Sequence, residues 1–329
     1  MTGRKWPGIF LVAAMALWLA GAALAEEDME ISAKSFVIMD AKTGRILLSL
    51  HPQMFLPPAS TLKVMTAMYV VEKLKMDDKV GVSPTAAAAP ASKINIKSGD
   101  VFTVRELLYA LLLSSANDAA RALAEKVSGS EDEFARQLTQ QVRQWGAYRT
   151  TLATANGLPA DNQFSTTQDL ALLFRRAMDN PELSKIMGTK YYTIQGDREL
   201  RNHNRFLFTT HLAVAGKTGF TRASRHTYVG MFQNGDKAII IAMMGSQKKW
   251  ADLRPLIEKG FELSGVPIAK LPPAEEKLWF AKKHMGKYAA ASRKSKVKVR
   301  KVKVVMGSSG SLPAKKSTKK KSKGKKQDS

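Results

Sequence analysis

The spacing of apolar and polar positions changes twice along this chain. Residues 35–39 are mostly apolar, 40–44 hold the Asp-Ala-Lys-Thr-Gly of a turn, and 45–49 become apolar again, which predicts an N-terminal hairpin. Directly after Pro57-Pro58, a breaker of regular structure, Leu62, Met65, Met68, Tyr69 and Val71 recur at helical spacing and predict a helix over 60–74. Thr103 with Glu106 reads as a capping box opening a helix over about 104–112, and Ser130 with Glu133 as another whose helix ends at Trp145-Gly146. Between the two, Ser114-Ser115-Ala116-Asn117 interrupts, and a helical pattern resumes from 118 to about 128. A further helix is expected over about 167–178. The pattern then turns to strands at 214–219, 227–233 and 237–244, the last two joined by Asn234-Gly235, a hairpin signal, before a closing helix over 250–263.

Strands thus lie at both ends of the body and helices between them. The fold class this predicts is α+β: an antiparallel sheet of about five strands, two N-terminal and three C-terminal, packed with helices plus an all-helical insert.

With 329 residues, 44% of them hydrophobic, the chain can build one large core or two smaller ones. Its net charge of +24 is unevenly placed: residues 282–329 hold 18 Lys and Arg against one acid, Asp328, while 26–281 carry only about +5. Beyond Leu271-Pro272-Pro273 the composition shifts. Residues 274–291 are compatible with a helix, 292–305 alternate basic residues with Val, and 306–329 are rich in Gly, Ser and Lys, for which disorder is expected. At the other end, Arg4 and Lys5, an apolar run from Ile9 to Leu19, and Ala23-Leu24-Ala25 before Glu26-Glu27-Asp28 predict a secretory signal cleaved after Ala25, an uncleaved anchor being the alternative. The expected organisation is a signal peptide over 1–25, a folded body over 26–270 and a basic tail over 271–329. The body is placed outside the cytoplasm, in the periplasm or on the outer face of the membrane. Absence of cysteine excludes disulfides, thiolate-ligated metals and thiol catalysis. Histidines 203, 211, 226 and 284 match no metal-ligand spacing. A Lys-rich tail suits an anionic membrane surface or an anionic wall polymer. Export, and the lack of aromatic residues among its lysines apart from Tyr288, argue against nucleic acid.

Three short elements carry candidate chemistry. Ser60-Thr61-Leu62-Lys63 stands where a loop becomes a helix, so Ser60 and Lys63 share a helix face. A serine hydroxyl needs a neighbouring base, and a desolvated lysine supplies one. Ser115-Ala116-Asn117 sits in the break between two helices, where the hydroxyl can relay a proton and the amide can hold a carbonyl. Lys217-Thr218-Gly219 ends a strand and offers a cation, a hydroxyl and a glycine that lets a substrate backbone approach. Each is common alone. Together, in this order and in these contexts, they form the signature shared by class A β-lactamases and penicillin-binding proteins.

The sequence over roughly 30–265 resembles the low-molecular-mass D-alanyl-D-alanine carboxypeptidases, the penicillin-binding protein 5 and 6 type of penicillin-recognising serine peptidase. The likeness rests on Pro58-Ala-Ser-Thr-Leu-Lys63-Val-Met-Thr-Ala, Leu113-Ser-Ser-Ala-Asn-Asp-Ala-Ala, Asn156-Gly-Leu-Pro, Ser165-Thr-Thr-Gln-Asp-Leu-Ala and Gly216-Lys-Thr-Gly-Phe-Thr221. It implies a β-lactamase/transpeptidase-like fold and a peptidoglycan pentapeptide substrate, with β-lactams as covalent inhibitors. Ser60 would attack the carbonyl between two D-alanines, and Lys63 would take its proton. Ser115 and Lys217 would pass a proton to the leaving amine, Asn117 would hold the substrate amide, and Thr218 would bind the terminal carboxylate. Backbone N–H groups of Ser60 and Phe220 would form the oxyanion hole, with Gly219 between motif and substrate. No metal or organic cofactor is implied.

The chain departs from the family in having Phe220 where His is frequent. Its arginine after Asn202-His203-Asn204, Arg205, is slightly displaced as a carboxylate ligand, with Arg222 and Arg225 as further candidates. Residues 266–329 are too short and too basic for the usual β-rich second domain and amphipathic anchor. A class A β-lactamase would need a deacylating glutamate. Asn180-Pro-Glu-Leu183 superficially offers one but reads better as a helix cap. A D,D-endopeptidase uses the same machinery, and a wall-binding protein with an inactive body would leave the tail as the functional element.

Overall fold

Two segments, 36–39 and 238–244, are apolar at every position, a pattern that suits strands covered on both faces. In the computed structural model, which describes residues 29–271 and 300–302, they lie side by side in the middle of the sheet. The N-terminal half runs β1 (Met29–Ile31), β2 (Ser35–Asp40), β3 (Ile46–Leu50), a 3-10 turn (Ala59–Leu62), α1 (Lys63–Lys73), β4 (Lys79–Gly81), α2 (Pro84–Ala87), β5 (Val101–Thr103), α3 (Val104–Leu113), α4 (Asn117–Ser128) and α5 (Glu131–Gln144). It continues through α6 (Thr167–Met178), α7 (Pro181–Gly188), β6 (Tyr191–Ile194), β7 (Arg198–Arg201), α8 (Phe206–Thr209), β8 (Ala213–Thr221), β9 (Arg225–Asn234), β10 (Lys237–Ser246), α9 (Lys249–Leu263) and β11 (Arg300–Val302).

The main sheet has five antiparallel strands in the order β3-β2-β10-β9-β8, two from the N-terminal end and three from the C-terminal end. Side chains alternate between its faces. Phe36 and Ile38 of β2 join Ile239, Ile241 and Met243 of β10 under α9, whose Leu253, Leu256, Ile257 and Phe261 close that core. Val37 and Met39 join Ile240, Ala242 and Met244 on the other face, against α1, α3, α4, α5 and α6. β8 ends the sheet and lies against the 3-10 turn that holds Ser60.

The predicted caps differ in detail. Thr103 and Glu106 form the full reciprocal box at α3. Ser130 accepts from Glu133 N at α5, but the Glu133 carboxylate turns to Arg136 and Gln137 instead. Asn180 caps α7 by accepting from Glu182 N and Leu183 N, and Glu182 reaches away to Arg105 at 3.0 Å. The helix-cap reading of Asn180-Pro-Glu therefore accounts for all three residues. The strand pairs β4–β5, β6–β7 and β1–β11 add to the expected elements. The expected signal segment 1–25 lies outside the described residues, as does the tail apart from Leu271 and β11. No helix among the described residues is long and apolar enough to cross a membrane.

Candidate active site

Pro57 and Pro58 end the chain's approach to α1, and Ala59 takes a left-handed conformation with φ of 49°. Ser60 follows in the 3-10 turn and Lys63 opens α1, so the two side chains meet three residues apart. The turn is tied down at Pro58, whose carbonyl accepts from Thr61 Oγ1 at 2.6 Å and from Thr227 Oγ1 of β9 at 2.9 Å. Two glycines permit the close approach. A Cβ at Gly157, where φ is 81°, would stand 2.1 Å from Ala59 O. A Cβ at Gly219 would stand 2.8 Å from Ser60 N. Strand β8 therefore abuts the turn that holds Ser60 only because residue 219 has no side chain.

Lys63 is fully buried. Its Nζ donates to Ser60 Oγ at 3.2 Å, Asn117 Oδ1 at 2.7 Å and Asn156 O at 2.5 Å. Burial pulls the ammonium down from 10.5 to about 7, while the charges of Glu131 and Asp118 act in the opposite direction. At neutral pH a substantial fraction of Lys63 is thus the free amine, the form able to accept a proton.

A second lysine–hydroxyl pair faces the first. Ser115, in the break between α3 and α4, has φ of 59° and is buried. Lys217 Nζ donates to Ser115 Oγ at 3.0 Å and to Thr218 O at 2.8 Å. Lys217 is held well below its ordinary value, first by burial and then by the Lys63 and Lys249 charges. Asn117, first residue of α4, ties Lys63 to the 90–92 loop: Oδ1 accepts from Lys63, Nδ2 donates to Pro90 O at 2.9 Å, and its backbone N–H donates to Ser92 O.

Ser60, Lys63, Ser115, Asn117 and Lys217 are brought together, with Gly219 against them. Thr218 is buried next to Lys217, and Phe220 stands 55% exposed with its ring 4.7 Å from that of His226. Arg205 is buried at the start of α8, within the field of Arg254 on α9. Arg222 and Arg225 are exposed in the β8–β9 turn. No cluster of metal-ligating side chains occurs among the described residues.

Sequence reasoning missed several contributors. Asn156 acts through its carbonyl oxygen, which leaves no trace in side-chain type, although its segment drew notice for another reason. Glu131 reads as an ordinary first-turn helix acid, yet Oε1 accepts from Ala155 N at 3.0 Å and Asn156 Nδ2 at 2.9 Å. Asp118 accepts from the N–H groups of Ile94 and Ile96 and so ties the 94–96 loop to α4.

The chain is similar to known proteins over this whole region. The D-alanyl-D-alanine carboxypeptidase family profile (Peptidase_S11) matches residues 22–248. The D-alanyl-D-alanine carboxypeptidase DacB2 of Mycobacterium tuberculosis is 31% identical over 243 residues, covering 70% of this chain and 83% of that protein. DacC of Escherichia coli is 32% identical over 282 residues, covering 79% of this chain and 70% of that one. A crystal structure of D-alanyl-D-alanine carboxypeptidase from M. tuberculosis superposes with a TM-score of 0.70 at 30% identity, covering 76% of this chain and 98% of that one. Fold, motif order and sequence likeness agree, and the chain belongs to the D-alanyl-D-alanine carboxypeptidase family.

Proposed function

We propose that this serine-type D-Ala-D-Ala carboxypeptidase works through Ser60 as nucleophile and Lys63 as its base. Ser60 Oγ attacks the carbonyl between the two D-alanines of a peptidoglycan pentapeptide while Lys63 takes the hydroxyl proton. The tetrahedral oxyanion is met by the backbone N–H groups of Ser60 and Phe220. Collapse breaks the peptide bond, and a proton relayed from Lys217 through Ser115 leaves with the D-alanine amine. Water then hydrolyses the ester and restores Ser60. Asn117 holds the substrate amide in this reading; Thr218 takes the terminal carboxylate, with Arg205 as a supporting cation. A β-lactam carbonyl would acylate the same hydroxyl.

The single observation that carries this reading is the pair of buried lysines, each against a serine hydroxyl, at 3.2 Å for Lys63–Ser60 and 3.0 Å for Lys217–Ser115. We infer also that the chain is exported, on its N-terminal basic, apolar and small-residue pattern, and that its basic tail meets an anionic membrane surface or wall polymer. The test is release of D-alanine from a pentapeptide ending in D-Ala-D-Ala, measured against Ser60→Ala. Release that vanishes in the variant supports the assignment. Release that persists in it removes Ser60 from the role.

A further inference from the structure

Lys63 is seated by groups that are themselves held from behind. Its shortest hydrogen bond goes to Asn156 O at 2.5 Å, and one turn along α1, Thr66 Oγ1 donates to the neighbouring carbonyl of Ala155 at 2.7 Å. The segment 155–156 is therefore the floor on which this face of α1 rests. That floor is gripped by one carboxylate. Glu131 Oε1 accepts from both Ala155 N and Asn156 Nδ2, and Glu131 Oε2 accepts from Arg121 Nε at 2.7 Å. The Glu131 side chain is only 16% exposed and that of Arg121 24%, so the pair is largely shielded from water and salt.

We propose that Glu131 is a positioning residue for the acylation step: anchored by Arg121, its carboxylate fixes the Ala155–Asn156 segment, whose Asn156 carbonyl holds Lys63 against Ser60. The inference rests on the reading of Ser60 and Lys63 as nucleophile and base. It adds a second, electrical consequence. Lys63 is faced by Asp118 of α4 and Glu131 of α5, whose charges favour its ammonium form. Two further titratable groups near it, Lys217 of β8 and His203, each feel the Lys63 charge. Arg121 offsets part of the Glu131 charge. Removing the Glu131 charge therefore makes Lys63 easier to deprotonate, and removing the Arg121 charge makes it harder.

The test is the rate of Ser60 acylation by a fluorescent penicillin, followed on the full chain across the pH range for wild type, Glu131→Gln, Arg121→Gln and Glu133→Gln. Glu131→Gln is expected to lower the plateau rate by roughly tenfold to a hundredfold, because the floor beneath the base loosens. Its acid limb should move to lower pH by about one unit. Arg121→Gln should move that limb to higher pH. Glu133→Gln, in the same helical turn but bonded to Arg136 and Gln137, should leave it in place. Loss of packing alone would change rates without moving the two limbs in opposite directions. Limbs that stay put, or move together, while wild-type Ser60 still labels would overturn this inference and leave the Ser60 reading intact. A wild type that does not label at Ser60 overturns the reading beneath it and the inference with it. If Glu131→Gln does not fold, as seen in its thermal melt, Arg121→Gln decides alone: an upward shift supports the proposal and an unchanged limb overturns it.

Discussion

A lysine that takes a proton from serine must spend part of its time uncharged, and burial gives Lys63 that property. Acylation by penicillin is therefore expected to rise with pH through about 7, where the buried amine loses its proton. Lys63→Arg keeps the charge and cannot lose it, so labelling should fall by roughly 10²- to 10⁴-fold at every pH tested. The same burial costs stability, with a definite sign. Below about pH 7 Lys63 is protonated in both the folded and the unfolded chain, and the cost is fully present. Between there and 10.5 the unfolded chain binds a proton that the folded chain has shed, so stability rises with pH; above 10.5 the cost is gone. In urea melts across that window, Lys63→Met should show a shallower rise than wild type. An identical slope would mean that the lysine is not desolvated. Gly157 makes a different demand on the same turn. Gly157→Ala forces a left-handed alanine against Ala59 O, and should cost roughly 1–3 kcal/mol in a thermal melt while slowing acylation more than tenfold.

At the scale of elements, the site is a meeting of a turn, a helix break and a sheet edge, and the ties between them are few. Thr227 Oγ1 to Pro58 O joins β9 to the turn that holds Ser60. Thr227→Val keeps the shape and removes the bond, and is expected to cost about 1 kcal/mol in urea melts and to slow labelling several-fold. Unchanged labelling would assign the fixing of the turn to Thr61 alone. Much of this architecture was readable before the coordinates. The hairpin at 35–49 and the three C-terminal strand segments announced the five strands of the sheet, Thr103 and Glu106 announced α3, and the three motifs announced which side chains converge. What could not be read has physical reasons. β4–β5 and β6–β7 are three and four residues long, too short for alternation to register. The left-handed Ser115 occupies a conformation that nothing in a serine advertises. Asn156 works through a carbonyl that every residue possesses, and Glu131 is disguised as a favourable acid at a helix start. The number of strands and their grouping at the two ends of the body followed from the sequence, whereas the strand order and the grip behind Lys63 depend on contacts that only the folded chain defines.

Across the whole molecule, charge and chemistry are segregated. The body that carries the site is close to neutral, about +5 over 26–281, and 18 of the 52 basic residues crowd into 282–329. A concentration of lysine of that kind contributes little to a fold but adds roughly 1 kcal/mol per residue near an anionic surface, an attraction that salt screens over about 10 Å at 0.1 M. Part-way along this segment, Arg300–Val302 pairs antiparallel with Met29–Ile31, the strand that leads into β2. Deleting residues 303–329 removes nine lysines and one aspartate while leaving that pairing in place. If the tail is an electrostatic tether and the body is the enzyme, the two functions separate. D-alanine release from a soluble pentapeptide should stay within about twofold of the full chain, since no tail group enters the proposed chemistry. Co-sedimentation with vesicles containing anionic phospholipid should fall sharply on truncation. For the full chain it should weaken as salt is raised from low to molar concentration. Binding to vesicles that survives both truncation and high salt would place the contact on the body instead. A drop in soluble activity on truncation would show that residues beyond 302 support the catalytic fold, and the tether reading would fail.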